Sequence, residues 1–292
     1  MFFKLKSIVK NGKVLKNKSL KNYTSFKIGG KAKYIVEPSS FTELIELINY
    51  LNKQKIKYFV LGNGTNVLAS DNGFNGVIIS TKGLNKIRMF SDVVQVFAGA
   101  NLNTVCKFYL DNNMGGFESA FGIPGTVGGA VKMNASAYDF ETSKMVLGVF
   151  ALTNGKVEYY NNLQCEFSYR NSVFKNSIIL MVEFKKGNTG CDKCKMNYVM
   201  QTRKSLQPLN LPSAGSVFKR EQGVAVSKII DELGLKGLTV GGAKVSEKHA
   251  GFIVNFNNAT AKDVKELIKM IKAEVLKLRG IELTEEINFI EN

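Results

Sequence analysis

The sequence predicts a protein of mixed helices and strands, with an α+β or α/β layout and two or three domains. Three observations favour this class. Strand and helix patterns alternate in the first half, a strong hairpin signal lies in the middle, and a long amphipathic helix stands near the end. The chain has 292 residues, of which 45% are hydrophobic, and this is enough for more than one hydrophobic core.

The first half of the chain supplies the alternating elements. Short apolar runs predict strands at residues 32–36, 58–61, 77–79 and 93–98. A helix is predicted after Ser40-Phe-Thr-Glu43, because this sequence has the pattern of a capping box and apolar residues recur on one face beyond it. Asn101 is predicted to cap a second helix that reaches about Asn112.

The second half begins with predicted strands between Val146 and Phe184. Their clearest signal is the turn Thr153-Asn-Gly-Lys156, because an Asn-Gly pair between two apolar runs is typical of a β-hairpin. At residues 185–189 the composition changes to Lys, Gly, Asn and Thr, and we predict a domain boundary there.

The C-terminal part is predicted to hold two helices and a strand. A basic helix is expected near residues 196–205. A longer helix follows Thr260-Ala-Lys-Asp263, carries apolar residues at helical spacing and ends at Gly280. The last strand is expected at about residues 286–290.

The composition is strongly basic, with 40 Lys and Arg against 24 Asp and Glu and a formal net charge of +16. A positive surface potential attracts nucleic acid, anionic lipid and phosphorylated small molecules, and charge alone does not choose among them. Beyond Lys21 the basic residues are dispersed, which favours a solvated surface over a dedicated binding arm.

The sequence also predicts a cytoplasmic protein with no membrane partner and no metal. Lysines interrupt the apolar residues at the N-terminus, and no apolar run is long enough to cross a bilayer. The cysteines lack the spacing of a small disulfide framework, so reduced thiols are expected. Cys191 and Cys194 form only one pair, whereas a structural zinc site needs four ligands, so we favour incidental thiols over a metal or redox site.

Two glycine-rich segments stand beside regular structure and are candidate anion sites. In Leu61-Gly-Asn-Gly-Thr-Asn66, a strand ends in small residues that let successive N–H groups converge. In Gly122-Ile-Pro-Gly-Thr-Val-Gly-Gly129, Thr126 is predicted to start a short helix whose first N–H groups favour phosphate. Taken alone, such a segment is more often an ordinary tight turn, and neither segment has the G-x-G-x-x-G fingerprint of a nicotinamide-binding fold.

Further motifs accompany these two segments. They are Tyr23-Thr-Ser-Phe-Lys-Ile-Gly-Gly30, Tyr169-Arg-Asn-Ser-Val-Phe-Lys175, Pro212-Ser-Ala-Gly-Ser-Val-Phe-Lys-Arg220 and the segment from Val240 to Val254. In this content and order the chain resembles the UDP-N-acetylenolpyruvoylglucosamine reductase family. The resemblance extends from about residue 22 to residue 289, so chance similarity is an unattractive explanation.

The resemblance implies a fold and a reaction. The fold is an FAD-binding domain of the vanillyl-alcohol-oxidase type in two parts, residues 1–78 and 79–188, followed by an α+β substrate-binding domain, residues 189–292. The reaction is the reduction of UDP-N-acetyl-3-O-(1-carboxyvinyl)-glucosamine to UDP-N-acetylmuramate in peptidoglycan synthesis. The enzyme binds FAD and uses NADPH as a co-substrate.

The resemblance also implies an oligomeric state and a cofactor site. A monomer is expected. The implied cofactor-binding residues are Gly62, Asn63, Gly64, Thr65, Asn66, Gly122, Ile123, Pro124, Gly125, Gly128, Gly129 and Asn134.

The matched motifs imply three catalytic residues. Hydride addition to the enolpyruvyl group builds negative charge beside its carboxylate, and Arg170 matches the family residue that holds this charge through a planar, always ionised guanidinium. Ser216 matches the proton donor. Glu286 matches the third catalytic residue; we prefer it to Glu285 on the spacing of the motif, because a slip of one residue along a strand reverses the face.

Basic residues are the candidates for substrate binding. Lys219 and Arg220 are the predicted substrate-binding residues. Arg203, Lys204 and Arg220 are alternatives for the UDP diphosphate, because Leu206 stands where longer members of the family carry a lysine. The stretch after Phe184 is also too short for the tyrosine-bearing loop of those members, so the chain resembles the shorter subtype.

Two other functions stay open. Another flavoenzyme of the same fold, such as a hydroxy-acid or sugar oxidase, would share the glycine loops but not the motifs around Arg170 and Ser216. A nucleic-acid-binding protein would account for the charge and the 10 tyrosines, yet we find no recognised nucleic-acid motif and expect no such partner.

Overall fold

The computed structural model describes residues 1–221 and 223–292. Their segments interleave to form two units. Unit 1 comprises residues 1–16, 34–63 and 77–202, and unit 2 comprises residues 17–33, 64–76 and 203–292. The division into three domains at residues 78/79 and 188/189 stays a prediction.

Helices and strands are mixed along the whole described chain. The helices are α1 (Phe2–Ile8), α2 (Phe41–Lys53), α3 (Leu102–Asp111), α4 (Val127–Lys132), α5 (Thr142–Met145), α6 (Lys193–Leu206), α7 (Val226–Glu232) and α8 (Ala261–Arg279). The strands are β1 (Lys13–Ser19), β2 (Lys31–Glu37), β3 (Tyr58–Leu61), β4 (Val67–Ala69), β5 (Phe74–Ser80), β6 (Ile87–Met89), β7 (Val93–Phe97), β8 (Ser136–Ala137), β9 (Phe140–Glu141), β10 (Val146–Thr153), β11 (Lys156–Asn161), β12 (Ile178–Lys185), β13 (Ser213–Ser216), β14 (Thr239–Val240), β15 (Ala243–Val245), β16 (Phe252–Asn255) and β17 (Asn288–Ile290).

A five-stranded antiparallel sheet of order β11-β10-β12-β7-β6 forms part of unit 1. The predicted Asn-Gly turn joins β10 to β11, with Thr153 opposite Lys156. A hydrophobic cluster that includes the buried faces of α3 and α4 packs with this sheet, and Tyr109 and Phe117 are among its fully buried rings.

A second cluster in unit 1 joins α1 and α2 through Leu5, Ile8 and apolar residues of α2. A further sheet of order β1-β2-β5-β3 contains the parallel pair β3 and β5.

Unit 2 is built on an antiparallel sheet of order β13-β16-β15-β14, against which α8 packs. The apolar stripe predicted for α8 is buried, and Gly280 ends the helix in the left-handed conformation with φ 65°. The final strand β17 starts at Asn288, two residues later than predicted, and pairs in parallel with β4. No helix in the described part of the chain is both long and apolar enough to cross a membrane.

The predicted capping box of α2 and the predicted start of α8 have different outcomes. At α8, Thr260 Oγ1 accepts from the Asp263 N–H at 3.1 Å and Asp263 Oδ2 accepts from the Thr260 N–H at 2.9 Å, so the helix begins where predicted and with a complete capping box. At α2, Ser40 Oγ accepts from the Glu43 N–H at 3.2 Å. The Glu43 carboxylate, however, accepts from the N–H of Ser39 at 2.8 Å instead of returning to Ser40, so only half of this box forms.

Candidate active site

The second glycine-rich segment lies in unit 1 and leads into α4. Thr126 caps the helix, and its Oγ1 accepts from the Gly129 N–H at 3.3 Å. The N–H of Val127 bonds to Ala100 O at 2.9 Å, and that of Gly128 bonds to Ala98 O at 2.8 Å. The expectation that the first N–H groups of α4 are available to phosphate is therefore wrong. Within 122–129, the N–H groups that donate to no acceptor among the described residues are those of Gly125 and Thr126, just before the helix.

The first glycine-rich segment meets the second one inside unit 1. A Cβ built on Gly62 would lie 2.4 Å from Thr126 Oγ1, so only glycine allows this approach. The N–H groups of Asn63 and Gly64 donate to no acceptor in the described parts of the chain. The interpretation of this loop as an anion site, which requires backbone N–H groups that converge on one point, stays a prediction.

The remaining residues of the first segment belong to unit 2. Gly64 O accepts from the N–H of Ser25 at 3.0 Å. Asn66 donates from Nδ2 to Glu286 O at 3.2 Å, and its own carbonyl accepts from the Asn288 N–H at 3.0 Å. These hydrogen bonds join Asn66 to the segment that carries Glu286, although the two lie far apart in sequence.

Arg170 lies at the tip of a two-residue turn in unit 1. Ser168 and Asn171 exchange backbone hydrogen bonds of 3.1 Å in both directions, which leaves Tyr169 and Arg170 as the central residues. Arg170 has φ 53°, a left-handed conformation that costs a residue other than glycine about 1 kcal/mol or more. Its Nη1 donates to Ser136 Oγ at 2.8 Å. The guanidinium is thus held by both the turn and a side-chain hydrogen bond.

The side chain of Asn134 stabilises this turn through hydrogen bonds. The side chain is buried, and Nδ2 donates to Glu141 Oε1 at 2.6 Å and to Ser168 O at 3.2 Å, while Oδ1 accepts from the Ser143 N–H at 3.0 Å. Both the nitrogen and the oxygen of the Asn134 side-chain amide therefore have hydrogen-bond partners within the protein. Its predicted cofactor contact stays a prediction, whereas its part in positioning the Arg170 turn is an observation that the sequence did not reveal.

Glu141 is the acidic residue of this network. Hydrogen bonds from Asn134 and Ser143 hold its pKa below the usual range of a glutamate, and the nearby positive charges of Lys144 and Arg170 act in the same direction. Glu141 therefore remains ionised at neutral pH and contributes a negative charge close enough to interact with Arg170.

Ser216 and Glu286 are brought side by side in unit 2. Ser216 ends β13 opposite Phe252, and the next residue, Val217, accepts from the Glu286 N–H at 2.7 Å. The Lys219 N–H donates to Thr284 O at 3.0 Å, which continues the pairing. The Ser216 hydroxyl is partly exposed and makes no hydrogen bond with any described residue, so it is available to donate.

A bulge precedes Ser216. The register of β13 against β16 shifts between Ser213 and Ser216, with one extra residue on β13. Gly215 lies in this bulge with φ 78°, and nothing lies within 4 Å of a Cβ built on it. Glycine is therefore required there by the backbone conformation, which aims the Ser216 side chain, and not by crowding.

The predicted substrate-binding residues lie beyond this strand. Lys219 is partly buried and Arg220 is exposed. A separate cavity of about 460 Å³ in unit 2 is lined by three lysines and one glutamate, together with the loop that follows α6. These charged residues are Lys204, Lys244, Lys248 and Glu247. Of the alternatives considered for diphosphate binding, Lys204 thus lines a cavity with two more lysines.

The cysteines form no metal site or disulfide. All four are free thiols, and no cluster of three or more potential metal ligands occurs among residues 1–221 and 223–292. Burial raises the pKa of Cys165 to about 11, and burial with the nearby Glu118 raises that of Cys191 to about 11. A thiol with a raised pKa is a poor nucleophile at neutral pH. The interpretation of Cys191 and Cys194 as incidental thiols stays a prediction.

Comparisons with known proteins agree with this architecture. The family model described as "FAD binding domain" matches residues 32–158, and the model described as "UDP-N-acetylenolpyruvoylglucosamine reductase, C-terminal domain" matches residues 207–290. The UDP-N-acetylenolpyruvoylglucosamine reductase of Caldanaerobacter subterraneus is 44% identical, with 98% of this chain and 97% of the relative covered. The chain belongs to the UDP-N-acetylenolpyruvoylglucosamine reductase family. The enzyme of that name from Clostridium novyi is 40% identical over 98% of this chain and 95% of its own length.

A solved structure extends the family relationship to the fold. The crystal structure of UDP-N-acetylenolpyruvylglucosamine reductase from Thermus caldophilus has a TM-score of 0.80 and 31% identity, and covers 96% of this chain and 99% of its own. The predicted combination of an FAD-binding domain with the C-terminal domain of the reductase family, in a chain of mixed helices and strands, is confirmed. The chain is an FAD-dependent oxidoreductase that serves peptidoglycan synthesis.

The glycine loops fit the pyrophosphate of FAD. A phosphate oxygen needs donors and close approach, and unit 1 offers unengaged N–H groups at Asn63, Gly125 and Thr126 beside a glycine contact that a Cβ would block. The chemistry of this donor set suits an anionic group and not a metal ion.

The sequence did not single out the residues that position Arg170. Ser136 and Glu141 are separated from Arg170 by 34 and 29 residues, and no local pattern relates them to it. Ser136 does stand in Asn134-Ala-Ser-Ala137, next to the predicted Asn134, and that proximity was the one available signal.

Proposed function

We propose that the chain reduces UDP-N-acetyl-3-O-(1-carboxyvinyl)-glucosamine to UDP-N-acetylmuramate, with NADPH as electron donor, in the cytoplasm and as a monomer. The observation that carries the proposal is the backbone pairing that sets Ser216 beside Glu286, in a chain whose family is defined by this reductase. Bound FAD supplies the hydride that the protein itself cannot provide.

The residues that would hold FAD are those of the two glycine-rich segments. Asn63, Gly64, Gly125 and Thr126 carry the unengaged N–H groups, and Gly62 permits the close packing that orients them. The predicted contacts of Thr65, Asn66, Gly122, Ile123 and Pro124 belong to the same proposal. Contacts of Gly128 and Gly129 with FAD would have to be made without their N–H groups, which bond to Ala98 O and Thr126 Oγ1.

Arg170 is proposed to bind the substrate carboxylate. The guanidinium keeps its charge at any working pH, so it stabilises the negative charge that develops beside the carboxylate during reduction. Its hydrogen bond to Ser136 and the constraint of the turn fix the side chain in advance, and this reduces the reorganisation needed in the transition state.

Ser216 is proposed to donate the proton that completes the reduction. The hydroxyl has no protein acceptor among the described residues, and the bulge at Gly215 fixes the direction of its side chain. A positioned donor contributes a factor of roughly 100 to 10,000. Glu286, one residue along the paired strand, is proposed to polarise the substrate carboxylate or to assist delivery of the proton.

Lysines of unit 2 are proposed to recognise the UDP diphosphate. Lys204, Lys244 and Lys248 line one cavity, and a group of ammonium side chains is suited to phosphate as a set of point charges. Lys219 and Arg220 follow Ser216 directly and are the other candidates.

The test is substrate-dependent oxidation of NADPH by the yellow, purified protein. We expect NADPH consumption only when the enolpyruvyl nucleotide sugar is present, with one lactyl ether formed for each NADPH consumed. Replacing that substrate with hydroxy acids or free sugars under oxygen is the matched control for the rival oxidase. Turnover with those compounds and none with the nucleotide sugar would reject the proposal.

A further inference from the structure

The segment that carries Glu286 is anchored in unit 2 by two buried side chains. Leu283 and Ile287 are 1% and 4% exposed, and both belong to the hydrophobic cluster that contains the apolar stripe of α8. Thr284, Glu285 and Glu286 stand between these anchors and are exposed or half-buried. Apolar packing therefore fixes both ends of this short stretch, and polar contacts have to fix its middle.

Main-chain pairing supplies one part of that support. The Glu286 N–H donates to Val217 O at 2.7 Å, next to an antiparallel bridge between Glu285 and Phe218. The backbone is therefore extended at this point. Because adjacent side chains of an extended segment point to opposite faces, Glu285 and Glu286 are directed away from each other.

The side chain of Glu285 supplies the other part. Its Oε1 accepts a hydrogen bond from Lys272 Nζ of α8 at 3.0 Å, and the side chains of the glutamate and the lysine are 28% and 34% exposed. The residue before Lys272 on the helix, Ile271, is buried at 1% exposure in the same hydrophobic cluster. The ammonium group therefore extends from a part of α8 that is firmly packed, and it restrains the residue next to Glu286.

We propose that Lys272 is a positioning residue for Glu286 and that it acts through Glu285. The ion pair restrains the backbone at Glu285, and this keeps the neighbouring carboxylate in the orientation that its role requires. The inference rests on the proposed role of Glu286 in the reduction. It gives the two adjacent glutamates different tasks, since Glu285 binds α8 and Glu286 serves the reaction.

The experiment measures the two half-reactions of the flavin-containing protein by stopped-flow absorbance. Lys272→Met removes the ion pair and keeps a long, unbranched side chain. We expect normal flavin reduction by NADPH and an about three- to tenfold slower reoxidation at saturating nucleotide sugar. A pair that is a third exposed restrains its segment only weakly, whereas a misplacement of about 1 Å costs roughly 100-fold. Lys272→Arg keeps the charge and the hydrogen-bond donors and should react at nearly the normal rate.

Control variants separate positioning from a general loss of stability. Lys269→Met changes a lysine one turn earlier on α8 that makes no ion pair in the described part of the chain. Lys236→Met breaks an ion pair with Asp231 of 2.7 Å, whose lysine is 31% exposed. Both variants should be reoxidised normally. In a Glu286→Gln background, which we expect to be slow, Lys272→Met should cause no further slowing, because the carboxylate that it positions is absent.

Three results would overturn the proposal. Normal reoxidation in Lys272→Met together with slow reoxidation in Glu286→Gln would reject the positioning role and leave the role of Glu286 intact. Normal reoxidation in Glu286→Gln would reject the role of Glu286 itself and the inference with it. Equal slowing by Lys272→Met and Lys236→Met, or by Lys272→Met with and without the Glu286 carboxylate, would assign the effect to a general loss of stability. An unchanged flavin spectrum in each variant establishes that the folded protein is being compared.

Discussion

The Arg170 turn of unit 1 and the Ser216–Glu286 segment of unit 2 hold their side chains by different means. Arg170 has a left-handed backbone and depends on side chains, namely Ser136 for its guanidinium and Asn134 for the carbonyl of its turn. Ser216 and Glu286 are set by a backbone ladder, in which Val217 O accepts from the Glu286 N–H at 2.7 Å.

This difference predicts how each region tolerates change. A ladder depends on main-chain groups that every residue except proline provides, so neighbouring side chains are replaceable with little loss. A turn held by buried side chains loses its geometry when one of them is removed, and a buried partner left without its hydrogen bond costs about 1–3 kcal/mol. The Arg170 region should therefore be the more fragile of the two.

The largest effect is expected for Ser216→Ala. If Ser216 donates the proton, the variant should keep flavin reduction by NADPH and lose reoxidation by the nucleotide sugar by a factor of roughly 100 to 10,000. Stopped-flow absorbance of the flavin separates the two half-reactions. Ser213→Ala, in the same strand and without a hydroxyl hydrogen bond among the described residues, is the control and should react normally. Equal loss in both half-reactions would refute the role of Ser216.

The next largest effect is expected for Arg170→Lys. Lysine keeps the charge but lacks the planar fork, so the reoxidation rate should fall by about 100-fold or more, in the range observed when one positioned donor is removed. The comparison variant is Arg220→Lys, an exposed position that we expect to affect the KM for the nucleotide sugar more than kcat. A normal reoxidation rate in Arg170→Lys would mean that a positive charge at this position is sufficient and that the planar guanidinium is not needed.

Local sequence patterns predicted the elements well and the supporting contacts poorly. The start of α8 at Thr260, the hairpin at Asn154-Gly155 and the helix cap at Asn101 depend on residues within a few positions of each other, and all three are present. The N–H groups at the start of α4 bond to Ala98 and Ala100, which only the folded chain brings near. The family motifs identified Arg170, but the distant Ser136 that orients it was beyond any local pattern.

A smaller effect, on stability, is expected for Asn134→Ala. The change leaves Ser168 O, the Ser143 N–H and Glu141 without their shared partner, so the free energy of unfolding should fall by about 1–3 kcal/mol. Thermal unfolding of the flavin-containing protein measures this loss of stability. Asn112→Ala removes one exposed hydrogen bond to Phe108 O and should cost well under this amount. If the two variants were equally stable, the turn would not depend on Asn134.

The smallest effect is expected for Glu141→Gln and depends on pH. Hydrogen bonds from Asn134 and Ser143 lower the pKa of Glu141, so its ionised form stabilises the fold. A lowered pKa gives a contribution that is complete above the unfolded value of about 4.3 and is lost as the pH falls through the folded value. Glu141→Gln should therefore be less stable than the unmodified chain at pH 7, and the difference should shrink below about pH 4.3. Glu46→Gln, exposed on α2 and without a hydrogen bond or ion pair among the described residues, provides the baseline. A difference that stayed constant down to pH 3 would assign the loss to altered packing and not to the charge beside Arg170.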